Sequence, residues 1–306
     1  MKLIVHGLGR MGLQIARKLA ESGHEVIALN RSPEPVARAV SYGVAGAHNP
    51  AEALKLFNST EQVIVWVMLP NDITAAVIHE WLKILPDHSV IVNGANSNYK
   101  ETQTLNNIVT AANKRLIDVG VSGGVWGYKN GFPLMVGCDD KHAVESLTPI
   151  FESLAAQGGA WAYFGPSGSG NYVKMVHNAI EYGMMQSLAE GYRLLKEGPY
   201  NDINLGKAGD VWQHHSVISS WLNELTAQAV TENPDMTGIS GSVAETGETR
   251  WALQTADEQG FSLPSIQAAF DVRIQSQNGE TNYATKIVAA QRNKFGGHSL
   301  NSEGAE

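Results

Sequence analysis

The chain has 306 residues, enough for two domains that each bury a core, and its 43% apolar and 17% charged residues exclude a disordered chain. With 30 acidic against 22 basic residues the formal charge is −8, and no run of Lys or Arg could track phosphates, which argues against nucleic acid as a partner. The one cysteine, Cys138, excludes a disulfide framework and a Cys-based zinc site within a chain, and the apolar run Val63–Leu69 is far short of the roughly 20 residues that cross a bilayer. The N-terminus enters a strand pattern without a signal peptide. The expectation is a soluble, cytoplasmic protein with no membrane partner.

In chain order, the strand candidates are Lys2–His6, Glu25–Asn30, Gln62–Met68, Ser89–Asn93 and Arg115–Val119, separated by amphipathic stretches as in βα units around a parallel sheet. Between the first two, Leu13, Ile15, Ala16, Leu19 and Ala20 recur at helical spacing over Met11–Ser22, and Gly23 stops the helix. Two more strands at Pro133–Gly137 and Ala160–Phe164 flank a helix through Ala143–Ala155. The breaker-rich stretch Gly165-Pro-Ser-Gly-Ser-Gly170 marks a domain boundary. Beyond it the spacing predicts one long helix over Asn171–Lys196, then a helical remainder to Gln291 with loops near 198–204, 232–241 and 260–264. The divisions are 1–165, 166–290 as a helical substrate and dimerisation domain, and 291–306 as a C-terminal tail whose residues beyond His298 read as disordered.

Gly7-Leu8-Gly9-Arg10-Met11-Gly12 follows the first strand and opens the first helix. The first glycine permits the tight turn, the second lets the backbone approach a pyrophosphate, the third lets helix pack on strand, and the helix N-terminus supplies N–H groups. Alone such a turn is weak evidence; strand before and helix after make it a dinucleotide site. The fold expected is therefore an α/β Rossmann-type N-terminal domain followed by an all-α C-terminal domain. At the end of the second strand, where an NAD site usually has an acid for the ribose 2′-hydroxyl, stand Asn30, Arg31 and Ser32. Arg31 can pair with a 2′-phosphate, so NADP is favoured and NAD tolerated. Met68, Leu69 and Asn96 complete the candidate cofactor set.

Lys174, His177, Asn178 and Glu181 fall at offsets of 0, 3, 4 and 7 on the long helix, so all four share one face. The stripe joins a potential base, a potential acid and two hydrogen-bonding groups; the bland alternative is a solvated face. Ser122-Gly123-Gly124 and Asn93-Gly-Ala-Asn96-Ser97 follow strand carboxyl ends, where ligands bind in open α/β sheets, although each could be a plain turn.

Gly7-x-Gly9-x-x-Gly12 with Asn30-Arg31-Ser32, the Asn96 turn, Ser122-Gly123-Gly124 and above all Lys174-Met-Val-His177-Asn178-Ala-Ile-Glu181-Tyr182 resemble the decarboxylating 6-phosphogluconate dehydrogenases, in their short-chain form, within the β-hydroxyacid dehydrogenase superfamily. The resemblance covers nearly the whole chain. It implies oxidation of 6-phosphogluconate at C3, loss of C1 as carbon dioxide and tautomerisation to ribulose 5-phosphate, with NADP and without metal, in the pentose phosphate pathway and gluconate metabolism. It implies Lys174 as general base and Glu181 as the acid that protonates the enediol; a partly desolvated lysine near a cationic nicotinamide is suited to that work near neutral pH. Asn96, Ser122, Gly123, Gly124, His177, Asn178 and Tyr182 would hold the sugar acid, and Arg273, Arg292 and His298 its phosphate. Arg292-Asn-Lys-Phe-Gly-Gly-His298 resembles a tail element that enters a neighbouring subunit's site, which implies a homodimer at least, or a tetramer. The chain departs from the long form at Glu245-Thr-Gly-Glu248-Thr-Arg250-Trp251, where Glu248 stands in the neighbourhood of a phosphate-binding Thr and Arg250 is the candidate replacement. The alternative activity is a β-hydroxyacid dehydrogenase for a simpler acid such as 3-hydroxyisobutyrate, against which Glu181 and Tyr182 discriminate.

Overall fold

The computed structural model describes residues 1–58, 62–200 and 202–300. In chain order these form β1 (Lys2–His6), α1 (Arg10–Glu21), β2 (Glu25–Leu29), α2 (Pro33–Val40), β3 (Ala45–Ala47), α3 (Pro50–Leu54), β4 (Ile64–Val67), α4 (Asn71–Leu82), β5 (Val90–Asn93), α5 (Tyr99–Ala111), β6 (Arg115–Val121), α6 (Gly127–Asn130), β7 (Leu134–Gly137), α7 (Lys141–Ser146), α8 (Thr148–Ala155) and β8 (Trp161–Gly165). There follow α9 (Ser169–Glu197), α10 (Leu205–Gln213), α11 (Trp221–Glu232), α12 (Glu248–Glu258), α13 (Pro264–Gln277) and α14 (Tyr283–Gly296). Contacts divide the chain into two units, Met1–Met175 and Val176–Glu306.

In the first unit the strands form one sheet in the order β3-β2-β1-β4-β5-β6-β7-β8, with every neighbouring pair parallel except β6 and β7. Buried strands of a doubly wound sheet need apolar side chains on both faces. Leu3 and Val5 of β1 point into one core cluster with Val26, Trp66 and Val92, while Ile4 between them points into the opposite cluster with Ile27, Val65 and Ile91. The order places the ends of β1, β2 and β4 side by side at the sheet's switch point, where such folds bind nucleotides.

The second unit is helical. Its core gathers Met185, Ala189 and Tyr192 of α9, Leu222, Ala229 and Val230 of α11, and Ile287, Val288 and Ala290 of α14. The α/β-then-all-α order is the one expected from the sequence. The sequence reading missed β3, three small residues on the sheet edge, too few for a strand pattern. The single helix expected through Ala143–Ala155 is two, because Leu147 ends α7 and Pro149 starts α8 within its first turn. Helix α14 runs on to Gly296, so Arg292 lies inside it. The chain beyond His298 was expected to be disordered, but the Leu300 side chain packs against the helical core and its carbonyl accepts from Ser240 N–H at 3.2 Å; residues 301–306 lie outside the described ones.

One buried pair gives the fold a pH dependence. Trp81 Nε1 donates to His6 Nδ1 at 3.0 Å with the two rings edge to face, and burial lowers the His6 pKa from 6.5 to about 4. The native ring is neutral, whereas in the unfolded chain it gains a proton below about 6.5. Stability is therefore full above that value and falls as the pH drops towards 4, by at most about 3 kcal/mol. Urea unfolding at about pH 7 and about pH 4.5 should show a smaller stability difference in His6→Phe than in the wild type; equal differences contradict this assignment.

Candidate active site

The glycine-rich turn is built for close approach. Gly7 has φ of +103°, and a Cβ there would sit 2.4 Å from the Met68 carbonyl oxygen; a Cβ on Gly12 would sit 1.9 Å from the Gly7 carbonyl oxygen. Gly9, by contrast, faces open space and begins α1 with no side chain capping the helix. Backbone N–H groups at a helix N-terminus with room above them fit a pyrophosphate, so Gly7–Gly12 could hold a dinucleotide. Asn30 shapes the neighbouring loop: its Oδ1 accepts from Leu8 N–H at 3.2 Å and its Nδ2 donates to the Ser32 carbonyl at 3.4 Å. Arg10, Arg31, Ser32 and Asn96 are exposed, and Met68 and Leu69 border Gly7.

At the carboxyl ends of β5 and β6 the first unit gathers further expected residues. Ser122 N–H donates to the Pro133 carbonyl at 2.9 Å, and Gly123 and Gly124 turn the chain with φ of +102° and +52°. A Cβ on Gly120 would clash with Cβ of Lys174, so the glycine lets buried Lys174 sit directly over β6.

The sequence reading did not single out what fixes the start of α9. Asp118, fully buried in β6, accepts from Gly168 N–H at 2.7 Å and from Asn171 N–H at 2.9 Å, one oxygen each. Burial raises its pKa, and these backbone donors offset only part of that rise. The Asn171 side chain accepts from Thr102 Oγ1 at 2.8 Å and donates to the Ala95 carbonyl at 3.3 Å, tying α9 to the loop of Asn96. The available signal was a lone acid inside the apolar strand Leu116-Ile-Asp118-Val, since a buried charge needs partners.

In the second unit α9 carries His177, Asn178, Glu181 and Tyr182. His177 Nδ1 lies 3.0 Å from Asn178 Oδ1 and 3.8 Å from Glu181 Oε2, and Asn178 Nδ2 donates to Glu248 Oε1 at 2.9 Å. The Tyr182 hydroxyl accepts from Thr246 N–H at 3.3 Å, and the Arg273 guanidinium lies 3.3 Å from the centroid of the Tyr182 ring. Arg273 is 3% exposed and Arg292 9%. Burial lowers the Arg273 pKa to about 10; Tyr182 and Glu181 raise it, while the like charge of Arg292 lowers it further. Arg273 is thus still a cation at neutral pH, and its hydrogen bond to Met185 Sδ, at 3.5 Å, brings no counter-charge. Arg250 forms an ion pair with Glu245 at 2.8 Å and lies over the Phe270 ring. His298 sits beyond the end of α14, its carbonyl accepting from Asn293 Nδ2 and its ring against Gly296. Among the described residues no group of three or more His, Cys, Asp or Glu could hold a metal ion, and no helix is long and apolar enough to cross a membrane.

A dinucleotide cradle on a parallel sheet followed by a helical unit defines a nicotinamide dinucleotide-binding dehydrogenase, an oxidoreductase. The profile of the NAD-binding domain of 6-phosphogluconate dehydrogenase matches residues 2–165, and that of the 6-phosphogluconate dehydrogenase C-terminal domain matches residues 170–303. The chain belongs to the 6-phosphogluconate dehydrogenase family. It is 35% identical to the NAD(+)-dependent, decarboxylating 6-phosphogluconate dehydrogenase of Haloferax volcanii, over 98% of each chain. It is 31% identical to the NADP(+)-dependent enzyme of Bacillus subtilis over 89% of this chain and 60% of that longer one. The structure of Plasmodium falciparum 6-phosphogluconate dehydrogenase, solved in its apo form, with NADP+ and with 6-phosphogluconate, matches all of this chain and 67% of its own, with a TM-score of 0.80 at 25% identity.

Proposed function

We propose that this chain oxidatively decarboxylates 6-phospho-D-gluconate to D-ribulose 5-phosphate and carbon dioxide, reducing NADP, in the cytoplasm as part of the pentose phosphate pathway. The observation that carries the substrate is Arg273: a buried cation with no ion pair among the described residues, beside Tyr182 and under the like charge of Arg292. Buried charges need counter-ions, and a phosphate would supply one. A simpler 3-hydroxy acid has a single anionic group, the carboxylate beside its reacting carbons, and brings no second one for Arg273.

When bound, the dinucleotide supplies the oxidant for C3. Lys174 takes the C3 hydroxyl proton during that oxidation and returns it to the C3 oxygen as the C1–C2 bond breaks and C1 leaves as carbon dioxide. Glu181, two turns along the same helix, then donates a proton to the enediol carbon that becomes C1 of ribulose 5-phosphate, while Lys174 takes back the hydroxyl proton from the neighbouring oxygen as it becomes the C2 ketone. Asn96, Ser122, Gly123, Gly124, His177, Asn178 and Tyr182 hold the sugar acid, and Arg273, Arg292 and His298 hold the phosphate. The polar contacts of Arg292 and His298 with a second subunit belong to the same proposal, which takes the protein to be a homodimer or tetramer.

Initial rates at 340 nm with 6-phosphogluconate and with 3-hydroxyisobutyrate test the substrate: turnover of the first only is expected, and turnover of the second only overturns it. For the cofactor, no carboxylate stands at the end of β2 and exposed Arg31 follows Asn30. Both cofactor types occur among the named relatives. Arg31→Asp should lower kcat/KM for NADP relative to NAD by at least about tenfold, the value of one charge-assisted contact. An unchanged ratio removes Arg31 from the 2′-phosphate.

A further inference from the structure

The Asn178 side chain stands between Glu248 and His177, donating through Nδ2 to one at 2.9 Å and placing Oδ1 3.0 Å from Nδ1 of the other. Glu248 is 2% exposed and is the first residue of α12, where a helix N-terminus favours a negative charge. An ionised carboxylate has only acceptors, so the Asn178 atom that faces it is the amide NH2 and the atom turned away is the carbonyl oxygen. That oxygen also only accepts, so the ring nitrogen facing it carries the proton. Glu181 Oε2, 3.8 Å from the same nitrogen, is beyond hydrogen-bond distance but is likewise only an acceptor.

We propose that Glu248 is a positioning residue: acting through Asn178, it holds neutral His177 in the tautomer protonated at Nδ1 and leaves Nε2 as the ring's acceptor for a substrate hydroxyl. Glu248 thus has a task other than phosphate binding at the place where the chain departs from the long enzymes. Only the kinetic part rests on the proposed substrate; the tautomer is a property of the resting protein.

The test uses the full-length protein labelled with 15N-histidine at about pH 8.5, about two units above the ordinary imidazole pKa. His177, identified by the signals lost in His177→Gln, should show a protonated Nδ1 and an unprotonated Nε2. Glu248→Gln keeps an acceptor for Asn178 and should keep this pattern. Glu248→Leu frees the amide to turn over and should shift the ring towards protonation at Nε2, and Asn178→Leu, which breaks the relay at its middle, should do the same if the first variant does not fold. KM for 6-phosphogluconate should rise about tenfold in Glu248→Leu, the loss of about one hydrogen bond, with recovery in Glu248→Gln and no change in KM for the dinucleotide. A wild-type ring protonated at Nε2, or variants at both positions that keep the proton on Nδ1, overturns the proposal. The expected tautomers without turnover of 6-phosphogluconate would instead count against the substrate alone.

Discussion

Lys174→Ala should bind dinucleotide and sugar acid with near wild-type affinity and turn over about 10²- to 10⁴-fold more slowly, the range that a positioned acid–base group supplies. The side chain is buried over Gly120, at the start of a helix fixed by Asp118 and Asn171. Removing it leaves the backbone geometry in place and deletes the group proposed to take and return the C3 proton. Equilibrium binding and single-turnover kinetics separate the two effects. A rate within a few-fold of the wild type would discard Lys174 as the base.

Asp118→Ala should cost about 3–5 kcal/mol of stability, because it strips two buried backbone N–H groups of their acceptor at the head of α9. That is a large share of the roughly 5–15 kcal/mol that holds a domain folded. The activity of the protein that stays folded should fall too, since α9 carries both proposed proton-transfer residues and a misplacement of about 1 Å can cost about 10²-fold. Asp118→Asn, which keeps one acceptor oxygen, should lose about half as much stability. Urea unfolding with assays on the remaining folded protein checks this; an Asp118→Ala protein of wild-type stability would show that the helix start is held by Asn171 and Thr102 without the carboxylate.

The parts of this protein that repeat were legible in the sequence. Short continuous apolar runs located the strands, and the glycine turn was convincing because strand and helix flanked it. The polar stripe was visible because 3.6-residue spacing is itself geometry. Long-range partners were not. Nothing local says that Asp118 meets Gly168 and Asn171, about 50 residues on, or that Glu248 meets Asn178. Glu248 was noticed as a departure, but its use as an acceptor for an amide depends on how α12 packs beside α9. The ion pair of Arg250 with Glu245, five residues away along the chain, was not legible either. Short edge elements such as β3 fall below what periodicity can resolve.

The central claim is that oxidation and loss of C1 occur together on this chain. The most direct measurement follows 6-phosphogluconate labelled with 13C at C1 and counts labelled carbon dioxide against reduced dinucleotide. One carbon dioxide per dinucleotide reduced, with ribulose 5-phosphate as the sugar product, is the predicted result. Reduction of the dinucleotide with C1 retained in the product would contradict it.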